Sequence, residues 1–156
     1  MLEQVAAILW LFGLIGFGGP LIAFSFLLPL ADRIGQGEPW HVDRVYRAWG
    51  SGSGLCLGAM WVGGLLQHYL QNDGFHWTLA TPEGQLTTIA HLVFLVMWVN
   101  YTHLEIWLLA PIRKLDPEGG PTDIEAYRAA RPKMNRSTAF NAFAFVIFVT
   151  LLSLTG

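Results

Sequence analysis

The sequence predicts an all-α integral membrane protein, a bundle of four transmembrane helices with the N- and C-terminal residues on the non-cytoplasmic side. Of its 156 residues, 53% are hydrophobic and only 13% are charged, whereas about a quarter are charged in soluble globular proteins. Four apolar stretches each reach the roughly 20 residues that a helix needs to cross a bilayer. The basic residues are confined to two of the three segments that connect these stretches.

The first helix is predicted over about residues 5–30, because no charged residue occurs between Val5 and Asp32. A cleavable signal peptide is the alternative for such a stretch near the N-terminus. This one lacks a positive leading region and is too long for the apolar core of a signal, so a retained helix is predicted. A group of glycines directly precedes Pro20, a combination that bends helices. These glycines are Gly13, Gly16, Gly18 and Gly19.

The other apolar stretches predict three further helices, over about residues 48–70, 87–112 and 137–155. Together the four form a single membrane domain that covers residues 1–156. Gly50, Gly54 and Gly58 lie four residues apart on the second helix, with Gly63 and Gly64 further on. Small residues at this spacing let helix backbones approach closely. The same glycines could instead make room for a flat cofactor.

The charge distribution predicts the orientation in the membrane. All nine Lys and Arg residues lie in the connecting segments 31–47 and 113–136, and segment 71–86 has none. Because basic loops are retained on the cytoplasmic side, those two segments are predicted to be cytoplasmic. Segment 71–86 then faces the exterior, as in a multi-pass protein of the bacterial inner membrane. Within the third segment, Pro121–Ala130 predicts a short surface helix that ends before Pro132.

Composition also excludes several classes of function. The net charge is −2, so nothing indicates a nucleic-acid partner. The single cysteine, Cys56, excludes an internal disulfide framework and a cysteine-rich metal site, and its apolar surroundings predict a small buried side chain. The expected partners are the lipid bilayer and other membrane subunits or a second copy of the chain.

Two histidines on adjacent helices form the first candidate site. His68 and His91 flank the short exterior segment, and both are predicted about one turn inside the membrane. Ionisable groups at such positions are costly and mark candidate functional sites. Two facing imidazoles could ligate a haem iron or a copper ion, or contact a quinone headgroup. Alternatively, each is a helix-end histidine that is hydrogen-bonded at the interface.

A second polar site is predicted nearer the cytoplasm. His103 lies about 18 Å along the helix from His91, so the two cannot share one metal. It has the spacing of one helical stripe with Asn100 and Trp107. This site could be a pocket, a proton path or hydrogen-bonded contact between helices. The polar residues expected at similar depth are Ser51, Ser53 and Asn141, while Glu105 is expected to contact Arg47 or Arg113.

The third helix, Ala90–Leu115, resembles that of HemJ-type protoporphyrinogen oxidases, which belong to a broader group that includes the copper-resistance protein D membrane domains. Tyr101 and His103 fit the Tyr–His cluster of that helix, and Arg113 with Lys114 fit its basic cytoplasmic end. The stretch Met60–Leu66 resembles the W-x-x-G-L-L segment of the group's second helix. The resemblance implies four helices with outward ends, and it adds Tyr101 to the candidate cofactor-binding residues, which also include Asn100 and His103 of the second polar site.

The chain also departs from the family pattern at positions linked to haem binding and activity. Its first helix has no histidine, and His91 stands where the family has a lysine. The oxidase activity is therefore not carried over. What the resemblance implies is a bundle that holds haem b through changed ligands, as in a bis-histidine electron-transfer site.

These observations predict a haem-b-binding electron-transfer subunit of a larger membrane complex, with His68 and His91 as axial ligands. One alternative is a porphyrinogen or quinone oxidoreductase in which His91 and His103 handle protons. Another is a cofactor-free accessory subunit of a respiratory or photosynthetic assembly. A copper-handling role is disfavoured because the methionines do not cluster in the sequence.

Overall fold

The computed structural model describes residues 1–34, 40–71, 74, 79–104 and 123–154. All regular structure in these ranges is helical, which confirms the all-α class. The elements are α1 (Leu2–Gly13), a π-helical turn (Leu14–Gly18), α2 (Gly19–Ile34), α3 (Trp40–Gln71), α4 (Pro82–His103) and α5 (Ile124–Ser153). Helix α1, the π-helical turn and α2 follow one another without a gap. By length and composition, this run (Leu2–Ile34) and α5 could each cross a membrane.

The helices extend beyond the apolar stretches because their ends are set by capping rather than by hydropathy. The Thr81 hydroxyl accepts a 3.1 Å hydrogen bond from the Gly84 N–H, and Pro82 occupies the first turn of α4. At the start of α5 the Asp123 carboxylate accepts a 2.9 Å bond from the Ala126 N–H. Such caps satisfy amide groups that have no partner within the helix.

The prediction of a separate short helix before Pro132 is wrong, because α5 continues through this proline to Ser153. Proline removes one backbone donor from a helix, which tertiary contacts are able to offset. Tyr127 and Met134, on either side of Pro132, are both buried in the bundle. Their packing on the neighbouring helices accounts for the uninterrupted helix.

The irregularity expected before Pro20 takes the form of the π-helical turn. Proline has no N–H, so the carbonyl of Gly16 lacks its usual donor four residues later. In the π-helical turn the Gly19 N–H donates to the Leu14 carbonyl, one residue further back than in an α-helix. The Gly16 carbonyl accepts a 2.8 Å hydrogen bond from the Trp49 indole N–H. Helix α3 thus supplies the donor that Pro20 lacks.

Two pairs of helices pack extensively, α1 on α3 and α4 on α5, and α2 also packs on α5. The α1–α3 contact depends on two glycines. A Cβ atom on Gly63 would lie 2.5 Å from the backbone nitrogen of Trp10, and one on Gly13 would lie 2.6 Å from the Cys56 carbonyl oxygen. Real Cβ atoms do not approach backbone so closely, so only glycine fits at either position.

The predicted glycine stripe of α3 does not make this contact. A Cβ atom on Gly54 or Gly58 would have no atom of the described chain within 4 Å. Gly50 is buried, and its carbonyl accepts a 2.9 Å hydrogen bond from the Ser53 hydroxyl. Around Gly54 and Gly58, the regular spacing of four therefore marks a face of α3 that none of the described residues packs against. The helix contact is made instead by Gly63, on a different side of α3.

Helices α3 and α4 have few close backbone contacts in the described residues, and large side chains such as Trp61 and Trp98 meet between them. Two buried clusters fill the rest of the interior. The larger one centres on Phe17, Met60, Phe94, Met97 and Phe145. The smaller one joins the other end of the bundle and includes Phe24, Leu28, Tyr46, Tyr127 and Met134.

Candidate functional site

The structure brings the two predicted ligand residues together. His68, near the end of α3, and His91, on α4, line the same small cavity. Trp61 and Trp98 confirm this register: their ring centroids are 5.6 Å apart, and each lies two helical turns from the histidine of its own helix. The histidines are therefore at one level on antiparallel helices.

The cavity between the histidines is small and otherwise almost wholly apolar. Its volume is about 40 Å³. The remaining lining residues come from α1, α3 and α5; they are Trp10, Met60, Trp61, Gly64, Leu65, Phe148 and Leu152. Trp10 and Phe148 close one wall through an edge-to-face contact with ring centroids 5.8 Å apart. A volume of this size holds about one to three water molecules.

The His91 ring is oriented by its own helix. Its Nδ1 lies 2.8 Å from the Thr87 carbonyl oxygen, one turn earlier on α4. A carbonyl oxygen only accepts, so Nδ1 carries the proton in this contact. In the neutral ring the lone pair is then on Nε2, the atom that ligates a metal or accepts a proton from a ligand.

A larger groove adjoins His91 between α3 and α4. Its volume is about 200 Å³. Trp61 of α3 forms one wall, and the other lining residues belong to α4: Thr88, His91, Leu92, Phe94, Leu95 and Trp98. The lining is apolar except for the indoles, His91 and Thr88, whose hydroxyl donates to the Gly84 carbonyl at 2.8 Å. The histidine level thus has both an internal cavity and an external groove.

The second predicted site is a buried polar cluster that includes the expected Asn100, Ser53 and Asn141, together with Tyr101 and Ser137. The Asn100 amide donates to the Ser137 hydroxyl at 2.9 Å and to the Asn141 amide oxygen at 2.8 Å. The buried Tyr101 hydroxyl hydrogen-bonds to the Ser53 hydroxyl and to the Gly50 carbonyl. Asn100 and Tyr101 therefore join α4 to α5 and α3, which is the role of hydrogen-bonded contacts between helices.

His103 does not share the buried position of its predicted neighbours. It is exposed at the end of α4, whereas Asn100 is half-buried and Asn141 is fully buried. The predicted contributions of Trp107 and Glu105 fall outside the described residues, as does that of the Ser51 side chain.

An ion pair that was not predicted from the sequence joins α2 and α5. The Arg131 Nε donates to Asp32 Oδ1 at 2.8 Å, and the Asn135 amide donates to Asp32 Oδ2 at 2.5 Å. The Arg131 side chain is only 6% exposed, and its Nη2 also donates to the Leu28 carbonyl. Both charges had been placed in solvated loops. Tyr127 and Met134 lie at helical spacing on either side of Arg131. This apolar pattern was the sequence signal that could have indicated burial of Arg131.

Comparisons with protein-family models, with curated proteins and with solved structures give no match. The resemblance to HemJ-type oxidases therefore stays a prediction. In the described part of the chain, no group of three or more His, Cys, Asp or Glu side chains is arranged to hold a metal ion.

Proposed function

We propose that this chain is a four-span protein of the bacterial inner membrane that holds a redox-active ligand at His68 and His91. In this proposal it serves as an electron-transfer subunit of a larger membrane complex. The observation that carries the proposal is the shared cavity: imidazoles from two helices line one space with apolar walls. Histidine is the common side-chain ligand and proton acceptor at such sites.

Several features support the four membrane spans. The run Leu2–Ile34 and helix α5 have the length and composition of membrane helices. Large apolar side chains are exposed along all the helix surfaces, among them Ile15, Leu55, Val99 and Phe143 at 62–78% exposure. Extensive exposed apolar surface is unusual in soluble monomers and suits contact with lipid or partner subunits. The charge distribution supports an orientation with the histidine level near the exterior.

The nature of the ligand is constrained by size. Haem b is the ligand suggested by the histidine pair and by the family resemblance. A space of about 40 Å³ does not accommodate a tetrapyrrole between the two imidazoles, since sites for ligands of drug size occupy about 300–1,000 Å³. The described side chains therefore do not fit a haem at this position as they stand. A ligand held by both histidines must therefore be much smaller than a tetrapyrrole.

The two alternatives have different support. In the oxidoreductase alternative His91 and His103 both handle protons, at positions about 18 Å apart along α4, and His103 is exposed at the end of that helix. The accessory-subunit alternative is favoured by the exposed apolar faces, because these would also suit contacts with other subunits. The presence or absence of a bound redox ligand separates this alternative from the proposal.

The test is to purify the protein in mild detergent from its native membrane and to search for a redox ligand. Reduced-minus-oxidised spectra detect haem, and solvent extraction with chromatography detects quinones. We expect a ligand in wild type that is retained in His103→Ala, the control, and lost in His68→Ala and His91→Ala. If wild type carries no redox ligand by either method, the proposal is wrong and the accessory-subunit alternative gains support. Haem bands in wild type would restore the haem prediction.

A further inference from the structure

One face of α5 carries two basic residues followed by two phenylalanines. Lys133, Arg136, Phe140 and Phe143 have the i, i+3, i+7 and i+10 spacing of a single helical stripe. All four residues are exposed, and Phe140 and Phe143 are 45% and 67% exposed. The described part of the chain therefore leaves this stripe largely uncovered along about 15 Å of helix.

In a four-span chain, the basic end of the stripe lies at the level of the cytoplasmic lipid headgroups. Helix α5 ends at Ser153, and a membrane span of about 20 residues counted back from there reaches Met134. Lys133 and Arg136 lie within one helical turn of this position. The two phenylalanines lie further along the helix, at the depth of the acyl chains.

Within the described residues, no acidic side chain balances the charge at this end of the stripe. Helix α5 has no acidic residue after Glu125, which lies about 12 Å before Lys133 along the helix. Asp32 of α2 already accepts a hydrogen bond from the buried Arg131. Neither Lys133 nor Arg136 forms an ion pair with any of the described side chains. The stripe thus presents two exposed cations next to apolar rings.

We propose that this stripe binds an anionic phospholipid of the cytoplasmic leaflet, with Lys133 and Arg136 at the phosphate and the phenylalanines along the acyl chains. Ammonium and guanidinium groups form strong hydrogen bonds with phosphate oxygens, and basic residues at the end of a membrane helix attract anionic lipids. A phospholipid joins a negative headgroup to apolar chains, in the order in which the stripe places its cations and its rings. The inference rests on the membrane spans of the proposed function but not on a redox ligand at the histidines.

The experiment uses the full chain, delipidated in mild detergent and titrated with dioleoylphosphatidylglycerol. Native mass spectrometry counts the bound lipids, and dioleoylphosphatidylcholine is the reference because it has the same acyl chains but no net charge. Lys133→Gln and Arg136→Gln each remove one cation of the stripe. Arg128→Gln is the matched control, because Arg128 is an exposed arginine of the same helix that lies about 12 Å from Arg136, away from the membrane. Glycerol 3-phosphate tests whether a phosphate without acyl chains is sufficient.

We expect wild type and Arg128→Gln to bind phosphatidylglycerol at least tenfold more tightly than phosphatidylcholine. A basic residue near an anionic lipid surface contributes roughly fivefold in affinity, so Lys133→Gln and Arg136→Gln should each lower the preference by about that factor. Equal affinity for the two lipids in wild type, or the same loss in Arg128→Gln, would overturn the site. Displacement of the lipid by millimolar glycerol 3-phosphate would show a site for free phosphate. A co-purified subunit that Arg136→Gln releases would assign the stripe to a protein partner.

This inference and the redox proposal fail separately. A preference for phosphatidylglycerol in a protein that holds no redox ligand would uphold the lipid site and overturn the redox role. A redox ligand that depends on His68 and His91, in a protein without any lipid preference, would overturn the lipid site alone.

Discussion

At the scale of single residues, one hydrogen bond ties the irregular first helix to α3. Pro20 deprives the Gly16 carbonyl of its donor, and the Trp49 indole supplies another at 2.8 Å. Trp49 also contacts Phe17 and Phe24, with ring centroids 5.8 and 5.5 Å away. A tryptophan in this region had been expected at a membrane boundary. The structure gives Trp49 a specific partner, the carbonyl that proline leaves open.

The first prediction concerns this bond. Trp49→Phe keeps an aromatic ring but leaves the Gly16 carbonyl without the indole donor, which costs about 1–3 kcal/mol for a buried group. In a Pro20→Ala background, the new N–H of residue 20 is able to donate to Gly16, so the cost of Trp49→Phe should fall. Thermal unfolding in detergent measures both differences. Equal losses of stability in the two backgrounds would contradict this account of the π-helical turn.

The histidine site also belongs to this scale. The sequence predicted that His68 and His91 would meet, because they flank a short connection between adjacent helices. It could not predict the size of the space between them. That size depends on Trp10 of α1 and Phe148 of α5, which are far from both histidines in the sequence.

At the scale of helices, the bundle is assembled through a few close contacts. Helix α1 meets α3 where Gly63 lies against the backbone of Trp10. Helix α2 is joined to α5 by the pair of Asp32 and Arg131, which lie 99 residues apart in the sequence. The Arg131 side chain is 6% exposed and that of Asp32 is 32% exposed. Removing Asp32 is therefore expected to be destabilising, because it leaves the buried Arg131 charge without its counter-ion. Both contacts position the histidines by holding α3 and α5 against the first helical run. Helix α3 carries His68, and α4, which carries His91, packs on α5.

The second prediction compares glycines of α3. Gly63→Ala forces a methyl group against the backbone of α1 and should destabilise the protein by about 1–3 kcal/mol, as overpacking does. Gly58→Ala is the matched control on the same helix, since a Cβ there meets no atom within 4 Å. Alanine is also the better helix former, so Gly58→Ala should be neutral or slightly stabilising. A larger loss in Gly58→Ala would show that this face is packed against another molecule.

These glycines show why element packing was only partly predictable. The spacing of Gly50, Gly54 and Gly58 predicted a helix contact, but spacing alone does not tell which side of a helix faces its neighbour. Which side makes the contact depends on the partner helix. Here Gly63 faces the backbone of α1 at Ala6 and Trp10. Hydropathy likewise predicted the helices themselves but not their full lengths, which capping by Thr81 and Asp123 extends.

At the scale of the whole molecule, the all-α class was predictable because helix formation in long apolar stretches is a local property of the sequence. The ion pair of Asp32 and Arg131 was not predictable, because both residues lie in segments that were expected to connect the membrane helices. The fold buries the Arg131 side chain. Asn100 and Asn141 were expected at similar depth, and their 2.8 Å hydrogen bond confirms this. The orientation in the membrane and the four spans remain predictions from charge and hydropathy.

The central claim is that the chain crosses the membrane four times with the histidine pair at the outer side. Single cysteines at Glu83 and Arg128, in a Cys56→Ser background, test it by labelling with a membrane-impermeant maleimide in intact and permeabilised cells. Both positions are exposed in the structure. We predict that Glu83→Cys is labelled in intact cells after opening of the outer membrane, and that Arg128→Cys is labelled only after permeabilisation of the inner membrane. Labelling of both positions from the same side would contradict the four-span account.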